Sequence, residues 1–133
     1  TLGRGATPNN FKIPMKDIQI PIYHIERGGD VTWHGPGQLV AYPIIDLTEH
    51  KKDLHWFVRS MEETVIRTLK HFGVDGQRSD VNSGVWIDKN KISAVGITAS
   101  RWITMHGTAI NIDCDMKHFN EIIPCGISAD KGG

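Results

Sequence analysis

Cys125 stands between Pro124 and Gly126, a setting that carries its thiol on a tight loop and makes it a candidate nucleophile. A thiol attacks as the thiolate, so it needs a lysine ammonium, a histidine or a helix N-terminus nearby to lower its pKa. Lys91, His34 and His106 are the candidates for that role. Each has a plainer reading. A free cysteine is among the most buried residue types and commonly packs as a small hydrophobe. Lys91 follows a turn and opens a β-prone run, where most lysines are simply solvated. Cys114, between Asp113 and Asp115, reads as structural, because neighbouring carboxylates disfavour a thiolate.

A second concentration of chemistry is the run Arg27-Gly28-Gly29-Asp30-Val31-Thr32-Trp33-His34-Gly35-Pro36-Gly37-Gln38. Glycine admits a bound group where a Cβ would clash and supplies the positive φ of tight turns. The segment therefore reads either as a wall around a ligand or as two turns, at Gly28-Gly29 and Gly35-Pro36-Gly37, with His34 a satisfied polar residue between them. The seven histidines show no spacing to the cysteines that resembles a zinc site. There is neither a Gly-x-x-x-x-Gly-Lys-[Ser/Thr] phosphate loop nor a Gly-x-Gly-x-x-Gly after a strand, so no metal or nucleotide motif is present.

The elements that must carry these residues follow from periodicity. Residues 18–25 alternate isoleucine with Gln19, Pro21 and His24, which predicts a strand that Pro21 keeps at an edge or a bulge. Residues 38–47 form a mostly apolar β-prone run, expected as a strand buried on both faces. Leu54, Phe57, Val58, Met61, Val65, Leu69 and Phe72 recur at helical steps, with Asp53 placed to cap them and Gly73 just past the end. Residues 84–87 and 91–98 read as a hairpin around Asp88-Lys89-Asn90, and residues 104–112 as one more strand. A short helix is expected over 116–122 and a turn over 124–127. The result is an α+β arrangement, a mixed sheet with few helices.

Composition sets the bounds. The 133 residues suit a single domain over 1–133, since cores of this size bury roughly two thirds of the unfolded chain's surface. Lys plus Arg and Asp plus Glu are both 15, so no net field points to nucleic acid or an anionic membrane. No apolar run approaches a membrane span and the first residues lack a signal-peptide pattern, so a soluble protein is expected. Nothing signals secretion, and Cys114 and Cys125 are expected to be reduced.

Taken in order, Arg27-Gly28-Gly29-x-x-Thr32-x-His34-Gly35-Pro36-Gly37-Gln38-Leu39-Val40-x-Tyr42-Pro43-Ile44, Gly84-Val85-Trp86, Lys91-Ile92-Ser93-Ala94-Val95-Gly96-Ile97, His106-Gly107-Thr108-Ala109-Ile110-Asn111 and Pro124-Cys125-Gly126-Ile127 closely resemble the octanoyltransferase family of lipoate biosynthesis. The resemblance runs from Leu2-Gly3-Arg4 to the last residues. Members of that family extend further at both ends, so it implies a trimmed copy. It implies the fold of biotin and lipoate protein ligases, with no cofactor, no metal and no ATP. The reaction implied is transfer of an octanoyl group from octanoyl-acyl carrier protein to a lysine of lipoyl domains, those of 2-oxoacid dehydrogenase complexes and the glycine cleavage H protein. Bacterial cytoplasm and mitochondrial matrix both fit. By position, Cys125 becomes acylated, and Lys91 lowers its pKa and handles protons. Arg27, Gly28, Gly29, Asp30, Val31, Thr32, Trp33 and His34 match the substrate-binding loop, as do Ala94, Val95 and Gly96, and Gly107, Thr108 and Ala109.

These residue types suit acyl transfer from a thioester to an amine. A cysteine thiolate attacks readily and leaves readily, and an adjacent lysine serves both half-reactions, first as cation and then as base. Backbone N–H groups around Gly126 or Gly107 are candidate donors to the oxyanion. Each buried methylene of the acyl chain contributes about 0.8 kcal/mol. Gly28, Gly29, Ala94, Gly96, Gly107 and Ala109 are expected to make room for it, with Val31 and Val95 as walls. Two other classes remain open: an ATP-dependent lipoate or biotin ligase on the same fold, which leaves Cys125 without a role, and a non-catalytic docking module, which forms no acyl-enzyme.

Overall fold

The computed structural model describes residues 1–80 and 82–124. Cys125, Gly126 and Ile127, with the turn expected at 124–127, therefore lie outside the described residues beyond Pro124. One face of a four-stranded sheet carries a helix, and the other carries the loops of the N-terminal segment. The strands are β1 (Gln38–Ala41), β2 (Gly84–Ile87), β3 (Asn90–Ser100) and β4 (Ile103–Asn111), in the order β1-β4-β3-β2. Every pairing is antiparallel. The expected mixed sheet is thus corrected: β2, β3 and β4 follow one another through tight turns, which only antiparallel neighbours allow. The β3–β4 turn is Arg101-Trp102, both at positive φ (50° and 69°), the backbone of a two-residue hairpin turn matched to the twist of the strands.

Helix α1 (Leu54–His71) forms as its pattern predicts. Asp53 accepts the Trp56 N–H at 3.0 Å, and Gly73 takes φ +77° just past the end. Phe57 and Met61 pack with Leu47 against Val95 and Ile97, and Val65 packs with Val85 and Ile110. Leu54 and Phe72, at the helix ends, are exposed.

Two predicted strands differ. Residues 18–25 follow a 3-10 turn (Met15–Asp17) and form no strand, only a parallel bridge of His24 to Leu2. Ile20 and Ile22 still reach a core cluster of Leu2, Val31, Trp33 and Ile122, so the alternation reported burial without a ladder. The run over 38–47 shortens to β1, an edge strand whose Leu39, Val40 and Ala41 are exposed. Pro43 has no N–H to offer, and beyond it Thr104 substitutes its side chain for the ladder: its hydroxyl donates to the Pro43 carbonyl at 2.8 Å and accepts the Ile45 N–H at 2.9 Å. The helix expected over 116–122 is a 3-10 helix (Met116–Glu121).

Candidate active site

The N-terminal loops leave a cavity against the sheet face opposite α1. It is lined by Arg27, Gly28, Gly29, Thr32, His34, Tyr42, Asn82, Ala94, Val95, Gly96, Gly107, Thr108 and Ala109, and measures about 480 Å³ with its open mouth included. In the sheet, Ala94 pairs with Ala109 and Gly96 with Gly107, so four small residues sit side by side at its base. The loop closes on them by hydrogen bonding to a free stretch of strand edge: β2 pairs β3 only as far as Ala94, and beyond it Gly28 N–H donates to Ile97 O at 3.0 Å. The approach is close over Gly96, where a Cβ would lie 3.1 Å from Gly28 O and 3.2 Å from Arg27 Cδ, tighter than ordinary contact.

Arg27 braces that loop from beneath. Only 6% exposed, its guanidinium donates to Gly28 O at 3.0 Å and to Thr1 O and Oγ1 at 3.2 Å. Gly29 turns the chain at φ +85°. At the other end of the loop Gly37, at φ +82°, lies against the Asp113 carbonyl, where a Cβ would be 1.9 Å from its oxygen. The turns expected at Gly28-Gly29 and Gly35-Pro36-Gly37 and the ligand-wall reading therefore coexist in one segment.

His34 is oriented by a relay. Asn111 Oδ1 accepts from Gln38 Nε2 at 2.8 Å, the same amide nitrogen also donates to Trp33 O, and this turns Gln38 Oε1 toward His34 Nδ1 at 2.6 Å. Nδ1 must carry the hydrogen, which leaves Nε2 as the acceptor nitrogen of the ring. Burial lowers the His34 pKa and Arg27 adds to this, against the Gln38 bond, which raises it.

Three residues of the expected substrate loop do not line the cavity. Val31 and Trp33 are buried in the Leu2–Ile122 core cluster, so Val31 is a core residue and not a cavity wall. Asp30 accepts from Val31 N–H at 2.6 Å and from the Asn10 side-chain amide, which ties the loop down. Val31-Thr32-Trp33-His34 form no strand beyond the Val31–Leu2 bridge, yet burial alternates along them: Val31 and Trp33 go to the core, and Thr32 and His34 line the cavity.

Gly107 lines the cavity, yet its missing side chain answers to β1. A Cβ there would lie 2.2 Å from Ala41 O and 2.9 Å from Pro43 Cδ. The Thr108 hydroxyl is likewise engaged in the sheet, donating to Ala94 O at 3.0 Å and meeting Ser93 Oγ at 2.7 Å. His106, at φ +62°, stacks edge-on with Tyr42 at 5.6 Å and is not among the lining residues. Lys91 lies on β3 opposite Trp86, with its Nζ 4.8 Å from the centre of the indole ring. Tyr42 and Asn82 also line the cavity without being expected there; Tyr42 lies in the motif that follows the glycine-rich loop, and nothing in the local sequence marks Asn82.

Residues 1–132 match the lipoyl protein ligase A/B catalytic domain. The chain belongs to this family. It is 48% identical over 128 residues to the octanoyltransferase of Nostoc punctiforme, an alignment covering 96% of this chain and 56% of the relative. The octanoyltransferase of Gloeobacter violaceus is 48% identical over 132 residues, 99% of this chain and 59% of its own length. A chloroplastic octanoyltransferase of Arabidopsis thaliana is also 48% identical, over 96% of this chain and 46% of its length. The chain thus spans somewhat more than half the length of the first two octanoyltransferases. Its fold is that of a lipoate-protein ligase A solved with ATP, with a TM-score of 0.66 and 16% identity over 90% of this chain and 51% of the ligase. No helix among the described residues is long and apolar enough to cross a membrane, and no three His, Cys, Asp or Glu side chains among them gather as a metal site.

Proposed function

We propose that this chain carries the acyl-binding and acid–base parts of an octanoyltransferase. Cys125 takes the octanoyl group from octanoyl-acyl carrier protein as a thioester, releasing the carrier's thiol. A lysine amine of a lipoyl domain then attacks that thioester to form the amide and regenerate Cys125. The recipients proposed are the lipoyl domains of 2-oxoacid dehydrogenase complexes and the glycine cleavage H protein. Lys91, as the ammonium, favours the Cys125 thiolate and gives its proton to the departing carrier thiolate in the first step; as the neutral amine it then takes the proton of the incoming lysine amine in the second. The thioester already carries the activation, so the reaction needs no ATP, metal or other cofactor. The expected compartment is the bacterial cytoplasm or the mitochondrial matrix, to which the chloroplastic relative adds a plastid.

The observation that carries this reading is the cavity itself: apart from Asp30, Val31 and Trp33, every residue matched to the family's substrate-binding positions lines it. Its floor of Ala94, Gly96, Gly107 and Ala109 presents apolar, side-chain-poor surface of the kind an acyl chain packs on. Intact-protein mass spectrometry after incubation with octanoyl-acyl carrier protein tests it. The expected product gains one octanoyl group, loses it to hydroxylamine, and does not form in Cys125→Ala. A hydroxylamine-labile adduct in Cys125→Ala overturns the nucleophile, and no adduct in the unaltered chain favours a docking module.

A further inference from the structure

Lys91 stands at an irregularity of the sheet. β2 and β3 pair Gly84 with Ala94 and Val85 with Ser93, then Trp86 with Lys91, so Ile92 has no counterpart. Ile92 packs beside Val65, Val85 and Ile110 on the helix side. One extra residue reverses the alternation of side chains, and Lys91 therefore falls on the face of Gly84 and Ala94, the face that carries the cavity. Without the bulge it would share the face of Ser93 and Ile110, under α1.

Three residues hold it there. Gly84 has φ +143°, and a Cβ on it would be 2.6 Å from Lys91 Cε and 2.2 Å from Ser93 O, so the lysine stem crosses a bare α-carbon. Trp86, 3% exposed, offers its indole face to Nζ at 4.8 Å from the ring centre. Gly84 is itself pinned through the sheet from α1. Its N–H donates at 2.9 Å to Glu62, whose carboxylate is 1% exposed and is held by Arg59 at 2.9 Å and Arg78 at 3.1 Å.

We propose that Glu62, Gly84 and Trp86 are positioning residues for Lys91, setting where its ammonium stands relative to the cavity. The proposal rests on the reading of Lys91 as the group that activates Cys125. Their action is through Lys91, with no contact to the acyl group.

The test is the pH dependence of Cys125 alkylation by iodoacetamide, with octanoyl-enzyme formation measured alongside. Trp86→Met keeps bulk but removes the ring face, whereas Trp86→Phe keeps an aromatic face. The Met variant is expected to move the alkylation midpoint to higher pH, in the direction of Lys91→Met, and to slow octanoyl-enzyme formation about tenfold. The Phe variant is expected to restore most of both. Gly84→Ala displaces the lysine stem and also crowds the Ser93 carbonyl, so it is expected to move the midpoint the same way; if Trp86→Met melts below the assay temperature, Gly84→Ala compared with and without Lys91→Met decides the matter, positioning requiring that the shift vanish in the Lys91→Met background. In a Lys91→Met background, Trp86→Met is expected to add no further shift. A midpoint unmoved by Trp86→Met and Gly84→Ala but moved by Lys91→Met overturns the positioning. A midpoint unmoved by Lys91→Met overturns the underlying role of Lys91 instead.

Discussion

At the scale of single residues the site divides into groups that face the cavity and groups that hold them. Lys91 lies on the cavity's side of the sheet but outside its lining, and as the proposed acid–base group its replacement, Lys91→Met, is expected to slow octanoyl-enzyme formation by roughly 10²- to 10⁴-fold, the range of a lost acid–base group. Single-turnover mass spectrometry at saturating donor measures this, and an unchanged rate removes Lys91 from the chemistry. His34 gives a pH signature of stability. Its pKa in the folded chain is lowered, chiefly by burial, so above the ordinary histidine value of about 6.5 neither state holds the proton and His34 contributes nothing. As pH falls through that value the unfolded chain binds a proton that the folded chain refuses, and stability is lost until the lower folded pKa is reached. Urea midpoints for His34→Asn are therefore expected to fall less between pH 7.5 and 5.5 than those of the unaltered chain. An equal fall in both assigns the acid sensitivity to other groups.

At the scale of elements, α1 and the sheet are joined by a polar bond as well as by packing. Glu62→Ala leaves the buried Gly84 N–H without its acceptor, which costs about 1–3 kcal/mol. Glu62→Gln keeps an oxygen there and is expected to lose less, as urea denaturation of the two variants will show. Gly107 belongs to this scale too. The space a side chain would enter is held by the Ala41 carbonyl, so Gly107→Ala is expected to strain the β1–β4 pairing. Hydrogen exchange should then rise at β1 amides, and butanoyl and octanoyl donors should be affected equally. Selective loss of the longer donor with β1 still protected would return Gly107 to the role expected from sequence, room for the acyl chain.

At the scale of the molecule, proposed independence from ATP and divalent metal is checked by octanoyl transfer after nucleotide removal and in EDTA. Full activity is the expected outcome, and a strict ATP requirement moves the chain to ligase chemistry. What followed from sequence was local or rested on ordered motifs: α1 with its Asp53 cap and Gly73 stop, the hairpin of β2 and β3, β4, and the meeting of three separated segments around one cavity. Caps, helical periodicity and turns are short-range, so the chain itself states them. The tertiary structure decided what depends on partners distant in sequence. Ile20 and Ile22 are partly buried against neighbours, Ile122 among them, with which they form no ladder, so their alternation reports burial and not a strand. Among the described residues β1 is an edge strand with exposed side chains, because β4 pairs one side of it and no helix packs on it, which its own apolar run cannot express. Val31 and Trp33 went to the core while Thr32 and His34 kept the cavity, a choice set by which side the sheet occupied. Lys91 could be named as a candidate from its motif, but only the unpaired Ile92 turns it toward the cavity face, and a bulge is defined by the register of two strands together.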